Sequence, residues 1–274
     1  MAVAADRPAG ETVGSTSFPT VTVLGVPVDR VDESGVASWL DNQLAHAQAC
    51  LHIVTYNPEY AIAARRNPRF MQAIRNADLV TCDGIGISVA ARLHRGDAPL
   101  PRVTGVEIVR LLTGASERTG ASLFLLGADP GVAPEAAARL QEFAPGAQFA
   151  GWWWDGTPQP IDDAEAIERI KASGARILAV AYGAPGQVLW IERNRSALGQ
   201  AGIKIAIGIG GALDYWAGTA KLAPPLVRRL GLEWLYRLIL EPWRWRRQLV
   251  LPVFALLAAI EAAETWLPGQ RPSH

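Results

Sequence analysis

The feature that most constrains the fold is a repeated alternation between short apolar runs and segments with the apolar spacing of a helix. The runs are rich in Val, Ile, Leu and Ala, and they occupy residues 51–54, 79–82, 122–126, 176–181 and 203–207. Continuous apolar strands separated by helices are typical of a parallel sheet covered on both faces. We therefore predict an α/β, Rossmann-like core over residues 20–225, with a mostly parallel sheet and helices on both faces.

The two ends of the chain differ from this core. Residues 1–19 are rich in Ala, Pro, Gly, Ser and Thr and have no apolar signal-peptide core, which predicts a disordered tail. We predict that residues 226–274 form a C-terminal appendage, because a basic, Trp-rich stretch is followed there by the apolar residues 249–260. That apolar run falls short of the roughly 20 residues that span a bilayer as a helix.

Arginine and tryptophan beside apolar residues favour contact with a membrane surface. The alternative is a helix packed on the protein's own core or on a second copy in a homo-oligomer. With only 2 Cys and no signal peptide, we expect a cytoplasmic protein that is peripheral to the inner face of the cell membrane. Lys plus Arg and Asp plus Glu both number 26, and this balance argues against nucleic acid as a partner.

Polar or glycine-rich clusters follow four of the predicted strands. They are Thr55 with Asn57, Asp83 with Gly84, residues 182–187, and residues 208–214. Because the carboxyl ends of parallel strands lie at one edge of the sheet, the clusters should converge on a single crevice. Taken alone, each has an ordinary explanation: Asp83 would cap the following helix, and the glycines would form tight turns. Together they favour a ligand site.

The sequence lacks the motifs that are typical of several classes of enzyme. Residues 208–211 read Gly-Ile-Gly-Gly without the last glycine of a dinucleotide-binding fingerprint, so a nicotinamide oxidoreductase is a poor fit. The chain has no P-loop, no zincin or nucleophile-elbow motif, and no Asp-x-Asp triplet that would carry a metal ion with a diphosphate. A bound diphosphate would therefore need backbone N–H groups and arginines.

Motifs along the chain resemble those of the WecG/TagA/CpsF glycosyltransferases, glycosyltransferase family 26. They are Thr55-Tyr56-Asn57-Pro58-Glu59, Asp83-Gly84-Ile85-Gly86, Arg102 with Gly105, Gly183-Ala184-Pro185 with Gln187, Gly210-Gly211 with Asp214 and Gly218, and the segment from Gly231 to Arg237 with Glu241-Pro242 and Arg244. The resemblance implies an inverting transfer of a sugar, without metal or cofactor, in cell-surface polysaccharide synthesis. The donor would be a UDP-sugar and the acceptor a polyprenyl-diphosphate-linked saccharide. It also implies that the appendage touches the membrane and completes the active site.

The resemblance also implies roles for individual residues. Asp83 would be the general base that deprotonates the acceptor hydroxyl. The expected contacts to sugar and acceptor are Thr55, Asn57, Gly84, Arg102 and Gln187. The expected contacts to the nucleotide are Gly210, Gly211 and Asp214, and the expected arginines near the diphosphate are Arg237, Arg244 and Arg247. Guanidinium groups stabilise the charge on the leaving diphosphate where no metal does so.

Two expected features of the surroundings of Asp83 would shift the pKa of its carboxyl in opposite directions. The dipole of the following helix would lower this pKa, whereas burial under an acceptor would raise it. The sequence leaves that balance open.

The chain departs from the family pattern at Val188, usually Glu, and at Leu222, usually Arg. The departures motivate an alternative, a non-catalytic protein of the same fold that binds UDP-sugar or lipid. Residues 152–154 are all Trp, and one of these rings would cover the uracil of the donor. The alternative is that the rings are exposed or pack in the core.

Overall fold

The computed structural model describes residues 18–95, 98–242 and 245–266. Its centre is a six-stranded sheet in the order β4-β3-β8-β7-β5-β6, in which every pairing is parallel. The strands of this sheet are β3 (Leu51–Tyr56), β4 (Leu79–Cys82), β5 (Leu123–Gly127), β6 (Phe149–Trp153), β7 (Ile177–Ala181) and β8 (Ile205–Gly208). The parallel, Rossmann-like sheet predicted from the apolar runs is confirmed.

Helices connect the strands and cover both faces of the sheet. Those of the core are α1 (Glu33–His46), α2 (Pro58–Arg66), α3 (Pro68–Arg75), α4 (Ile85–Arg95), α5 (Gly105–Thr119), α6 (Val132–Phe143), α7 (Asp163–Ser173), α8 (Gly186–Gln200) and α9 (Ala212–Ala217). Successive residues of a strand point to opposite faces, so Ile53 joins the cluster beneath α1 and α5 while Val54 joins the cluster beneath α2 and α4. Burial on both faces explains why these strands read as continuous apolar runs.

A small hairpin protects the edge of the sheet at β4. Its strands are β1 (Thr20–Val23) and β2 (Val26–Asp29), and they are antiparallel. The buried Asp29 carboxylate accepts a hydrogen bond of 2.7 Å from the backbone N–H of Val80 in β4. An edge strand that presents free N–H groups invites pairing with other chains, and this carboxylate occupies one of them.

Some predicted boundaries were wrong. Proline suits the first turn of a helix, so the sequence predicts one helix from Pro58 to about Arg75. The structure has two helices there, because Pro68 lacks the N–H that would continue the first one and Asn67 caps the second. Strand β3 extends to Tyr56, so Thr55 lies within it and does not follow it. Helix α8 begins at Gly186, which places Gln187 in its first turn.

In the described part of the chain, the core is followed by the helices α10 (Pro225–Arg229), α11 (Glu233–Leu240), α12 (Trp245–Gln248) and α13 (Val250–Trp266). Helix α13 packs on α2 and α4 through Phe254, Ala258 and Ala262, which are buried. Its opposite side exposes Leu256 and Ile260. Within the described ranges, no helix combines the length and the apolar character needed to cross a membrane.

Most of the expected disordered tail, residues 1–17, lies outside the described residues. Phe18, which we had assigned to that tail, packs against the core cluster beneath α1. The carbonyl of Pro19 accepts a hydrogen bond from the backbone N–H of Arg30.

Candidate active site

The four strands that precede the polar clusters are neighbours in the sheet. In the order β4-β3-β8-β7 they are four adjacent strands of the six, and all run in the same direction. Their carboxyl ends lead into Asp83, Asn57, Gly210 and Gly183, respectively. The topology therefore brings the four clusters to one stretch of the sheet edge, as expected for a ligand crevice in an open α/β fold.

Asp83 lies immediately after β4 and is half-buried. Its backbone N–H donates to the carbonyl of Tyr56 at the end of the neighbouring strand, over 2.8 Å. Gly84 then turns the chain with φ of 97°, a conformation that favours glycine, and α4 begins at Ile85. This turn leaves the Asp83 carboxyl at the edge of the sheet, in a residue that is only partly exposed to solvent.

The surroundings of Asp83 raise the pKa of its carboxyl to about 7. Burial is the largest cause, and the negative charges of Glu107 and Glu233 act in the same direction. A hydrogen bond from the Asn57 side chain and the positive charge of Arg102 oppose the increase. Burial within the protein itself therefore raises this pKa even without an acceptor. A base with a pKa near neutral pH is well matched to proton transfer there.

Asn57 has two contacts that fix its orientation. Its Oδ1 accepts from the backbone N–H of Tyr60 at 2.9 Å and thereby caps α2, in which Pro58 occupies the first position. Its side chain also hydrogen-bonds the carboxyl of Asp83. Thr55, two residues earlier, is buried in β3 opposite Thr81 of β4. Helix capping thus positions the amide that contacts the candidate base.

Gln187 joins the ends of β7 and β8. Its Oε1 accepts from the backbone N–H groups of Gly183 at 3.1 Å and Gly210 at 2.9 Å, and its Nε2 donates to the hydroxyl of Tyr60 at 2.8 Å. The side chain is only 2% exposed. A Cβ on Gly208 would lie 2.6 Å from Cγ of Gln187, so this approach requires glycine. The amide holds the two glycine-rich turns together.

The turn after β8 lies close to a cationic side chain of α11. Gly210 has φ of 51°, and a Cβ placed on Gly211 would lie 2.9 Å from Oδ2 of Asp214 and 3.7 Å from Nη2 of Arg237. The Arg237 guanidinium stacks over the ring of Tyr215, 5.2 Å from its centroid. The turn, a carboxylate and a guanidinium therefore meet at the same place.

The remaining predicted arginines differ in what the structure shows of them. Arg102 donates to Oε1 of Glu233 at 3.2 Å and to the carbonyl of Arg228 at 2.6 Å, so it is bonded to the C-terminal helices. Arg244 lies outside the described residues, and so does the side chain of Arg247, whose backbone belongs to α12.

Two residues near the site were missed in the sequence. Glu107 and Glu233 both act on the pKa of Asp83. A signal existed for Glu107, because Thr104 and Glu107 have the spacing of a capping box, and the structure contains that box at the start of α5. Of the Trp residues considered as covers for uracil, Trp153 is buried beneath the guanidinium of Arg169, whereas Trp152 and Trp154 are exposed.

Two observations concern other kinds of site. Across residues 18–95, 98–242 and 245–266, no three His, Cys, Asp or Glu side chains group in a way that could hold a metal ion. A cleft of about 640 Å³, lined by Cys50, Glu192, Arg195 and other residues, opens at the amino edge of the sheet. It is far from the strand ends that carry the polar clusters, so we locate the site by its chemistry and not by the size of a cavity.

Comparison with known proteins identifies the family. Residues 21–267 match the model of the glycosyl transferase WecG/TagA/CpsF family. The chain is 35% identical over 202 residues to an N-acetylglucosaminyldiphosphoundecaprenol N-acetyl-beta-D-mannosaminyltransferase of Bacillus spizizenii (strain W23), covering 74% of this chain and 76% of that protein. It is 29% identical over 257 residues to a protein of the same name from Bacillus subtilis (strain 168), covering 93% of this chain and 98% of the relative. The chain is an enzyme that belongs to the WecG/TagA/CpsF family of glycosyltransferases.

Proposed function

We propose that this glycosyltransferase moves a hexose or N-acetylhexosamine from a UDP-sugar to a saccharide linked to a polyprenyl diphosphate. The acceptor class is supported by the names of two relatives, which describe transfer to N-acetylglucosaminyldiphosphoundecaprenol. The product would be a longer lipid-linked saccharide for cell-surface polysaccharide synthesis. The observation that carries the proposal is the half-buried residue Asp83, whose carboxyl pKa is raised to about 7 and which lies at the sheet edge where open α/β folds bind ligands.

In the proposed reaction Asp83 is the general base. Its carboxylate takes the proton of an acceptor hydroxyl while that oxygen attacks the anomeric carbon of the donor from the side opposite UDP. A bond forms between the acceptor oxygen and the anomeric carbon, the bond from that carbon to the diphosphate oxygen breaks, and UDP leaves with the electron pair. One displacement inverts the configuration. A positioned base of this kind contributes typically ~10²- to 10⁴-fold to the rate.

The proposed nucleotide site is formed by the turn at Gly210 and Gly211 together with Arg237. A glycine turn allows a diphosphate to approach the backbone closely, and the guanidinium meets the charge that develops as UDP leaves. The proposed roles of Asp214, Arg244 and Arg247 rest on the family resemblance. With arginines in this role, the reaction would need no metal ion or other cofactor.

The proposed acceptor resides in a membrane, so we propose that the enzyme docks on the inner face of the cell membrane. Support comes from the exposed apolar side of α13, which includes Leu256 and Ile260, and from the apolar residues that α11 exposes, which include Ile239 and Leu240. We further propose that residues 226–274 act as an appendage to the core and that a chain ending at Pro225 retains its fold but is nearly inactive.

The proposal is tested by measuring UDP release from full-length protein in lipid vesicles. A panel of UDP-sugars is combined with polyprenyl-diphosphate-linked N-acetylglucosamine and related acceptors, for wild type and for Asp83→Asn. The matched control is Asp129→Asn, which changes an exposed carboxylate beyond the end of β5 at the same sheet edge. We expect acceptor-dependent release with one donor, a loss of about 10²-fold or more in Asp83→Asn, and no loss in the control. Equal release by wild type and Asp83→Asn would overturn Asp83 as the base.

A further inference from the structure

A single arginine of the core holds both sides of the turn between α10 and α11. Arg102 lies between α4 and α5, and only 24% of its side chain is exposed. One Nη atom bonds the carboxylate of Glu233, the first residue of α11, and the other bonds the carbonyl of Arg228 near the end of α10. Arg102 therefore contacts the chain before and after Gly231.

The same turn is fitted closely to the start of α4. Gly231 has φ of 69°, and a Cβ there would lie 2.6 Å from Cβ of Ile85. Ile85 is two residues beyond Asp83. The turn is thus held on one side by the guanidinium of Arg102 and on the other by the helix that follows the candidate base.

Helix α11 extends from the contact with Arg102 to the proposed nucleotide site. Glu233 and Arg237 are four residues apart, and residues at this spacing lie on the same face of a helix. Glu233 binds Arg102 at one end, and Arg237 reaches Tyr215 and the turn at Gly211 at the other. Releasing Glu233 from Arg102 would therefore move the guanidinium that faces Gly211.

We infer that the ion pair between Arg102 and Glu233 is the positioning contact that seats α10 and α11 on the core, so that Arg237 and Asp83 form one active site. Glu233 is then a positioning residue, because it acts through Arg102 and through the helix it begins. This role deepens the proposed function and rests on it only in treating Asp83 and Arg237 as parts of one site.

Charge reversal tests the contact. Arg102→Glu and Glu233→Arg each place two like charges together, and the double variant restores an opposite pair. In the full-length protein we expect each single variant to lower kcat about tenfold or more and to increase amide hydrogen exchange over residues 225–240. The double variant should recover much of both properties. If the double variant has as low a kcat and as much amide exchange over residues 225–240 as the worse single variant, the inference is overturned.

The exchange measurement needs no substrate, so it separates this inference from the proposed reaction. Loss of protection in the single variants and recovery in the double variant would support the positioning contact even if no donor were turned over. Arg118→Glu is the control, since Arg118 of α5 also forms an ion pair with a residue distant in the sequence, Asp41 of α1. The control should leave exchange over residues 225–240 unchanged. Equal loss of protection there would mean that the effect is general destabilisation, and the inference would fail.

A milder variant adds a readout that a purely structural role would not change. Glu233→Gln keeps an oxygen that can accept from Arg102 but removes a negative charge that acts on Asp83. We expect the rising limb of the rate profile to move to lower pH by about 0.5 unit while exchange over residues 225–240 stays close to that of wild type. An unchanged profile would show that Glu233 exerts no influence on the base and would overturn this part of the inference.

Discussion

The side-chain oxygen of Gln187 accepts a hydrogen bond of 2.9 Å from the backbone N–H of Gly210, and so links the first turn of α8 to the turn after β8. The same oxygen accepts from Gly183, and the amide nitrogen donates to Tyr60. The resemblance placed Gln187 among the residues that contact substrate. In the structure its hydrogen bonds go to the protein, which favours a role in shaping the two turns.

We predict that Gln187→Met destabilises the protein by about 1–3 kcal/mol, because a side chain of similar size would leave two partly buried backbone N–H groups without this partner. Chemical denaturation measures the change. Gln200→Met, at an exposed position at the end of α8, serves as the control and should be nearly neutral. Unchanged stability together with a raised KM for donor would instead favour direct contact with substrate.

The raised pKa of Asp83 predicts how activity depends on pH. Below pH of about 7 an increasing share of the carboxyl is protonated and cannot accept a proton, so kcat/KM should fall about tenfold per pH unit there and level off above it. The profile is measured by UDP release between pH 5.5 and 8.5 with wild type and Asp129→Asn, which should agree. A flat profile across this range would exclude Asp83 as the titrating base.

The same pKa predicts a stability cost at Asp83. Because the folded-state pKa is raised from 3.8 to about 7, the folded state binds more protons than the unfolded state across this range, and stability falls as pH rises through it. Asp83→Asn removes the effect. The full increase in pKa corresponds to at most ~4 kcal/mol, and because Asp83 as a whole is only half-buried we expect a gain of about 1–2 kcal/mol above pH 7.

The gain in Asp83→Asn should become small near pH 3, below the unfolded-state pKa of 3.8, because the wild-type carboxyl is then mostly protonated in both the folded and the unfolded state. Thermal unfolding of wild type and Asp83→Asn at pH 3 and pH 8 measures the difference. A gain of equal size at both values would point to a packing effect of the amide and not to the ionisation of Asp83.

The sequence predicted well the features that depend on local chemistry. The apolar run of residues 79–82 has the bounds of strand β4, and the run of residues 51–54 lies within β3. The break at Asn67 and Pro68 was missed, although a cap residue followed by proline is a local signal for the start of a new helix. The convergence of the clusters at Asp83 and Asn57 followed from the rule that parallel strands end at one edge.

Other features depend on packing between distant segments, so local patterns could not predict them. Glu233 acts on Asp83 only because the turn at Gly231 is seated on α4. The balance between burial and helix dipole at Asp83 likewise depends on what surrounds the carboxyl in three dimensions. The sequence placed Arg102 near the site but gave no indication that its partners are the C-terminal helices.

His52 predicts a second pH effect on stability, at the other end of the sheet. Its imidazole is fully buried in β3, with Nδ1 3.8 Å from Oε2 of Glu192, and burial lowers its pKa despite that carboxylate. Below pH of about 6.5 the unfolded chain therefore binds a proton that the folded protein does not, and stability falls as pH decreases.

His52→Gln should remove this contribution, so that the unfolding free energy changes less between pH 7 and pH 5 than in wild type. His46→Gln, at an exposed position at the end of α1, is the matched control and should retain the wild-type dependence. If both variants follow the wild-type curve, the buried imidazole does not contribute to it.

The two departures from the family pattern have different structural settings. Val188 is buried in the apolar cluster beneath α2 and α4, whereas Leu222 is 45% exposed. The variant Val188→Glu restores the family residue but would bury a carboxylate among apolar side chains. We expect it to lower the free energy of unfolding by about 3 kcal/mol or more, with no gain in activity.

Leu222→Arg should change the free energy of unfolding by no more than about 0.5 kcal/mol, because the side chain at this position reaches solvent. Denaturation and UDP release are measured for both variants. Higher activity in Val188→Glu without loss of stability would show that a carboxylate at this position contributes to catalysis. The valine of this chain would then affect its activity and not only its packing.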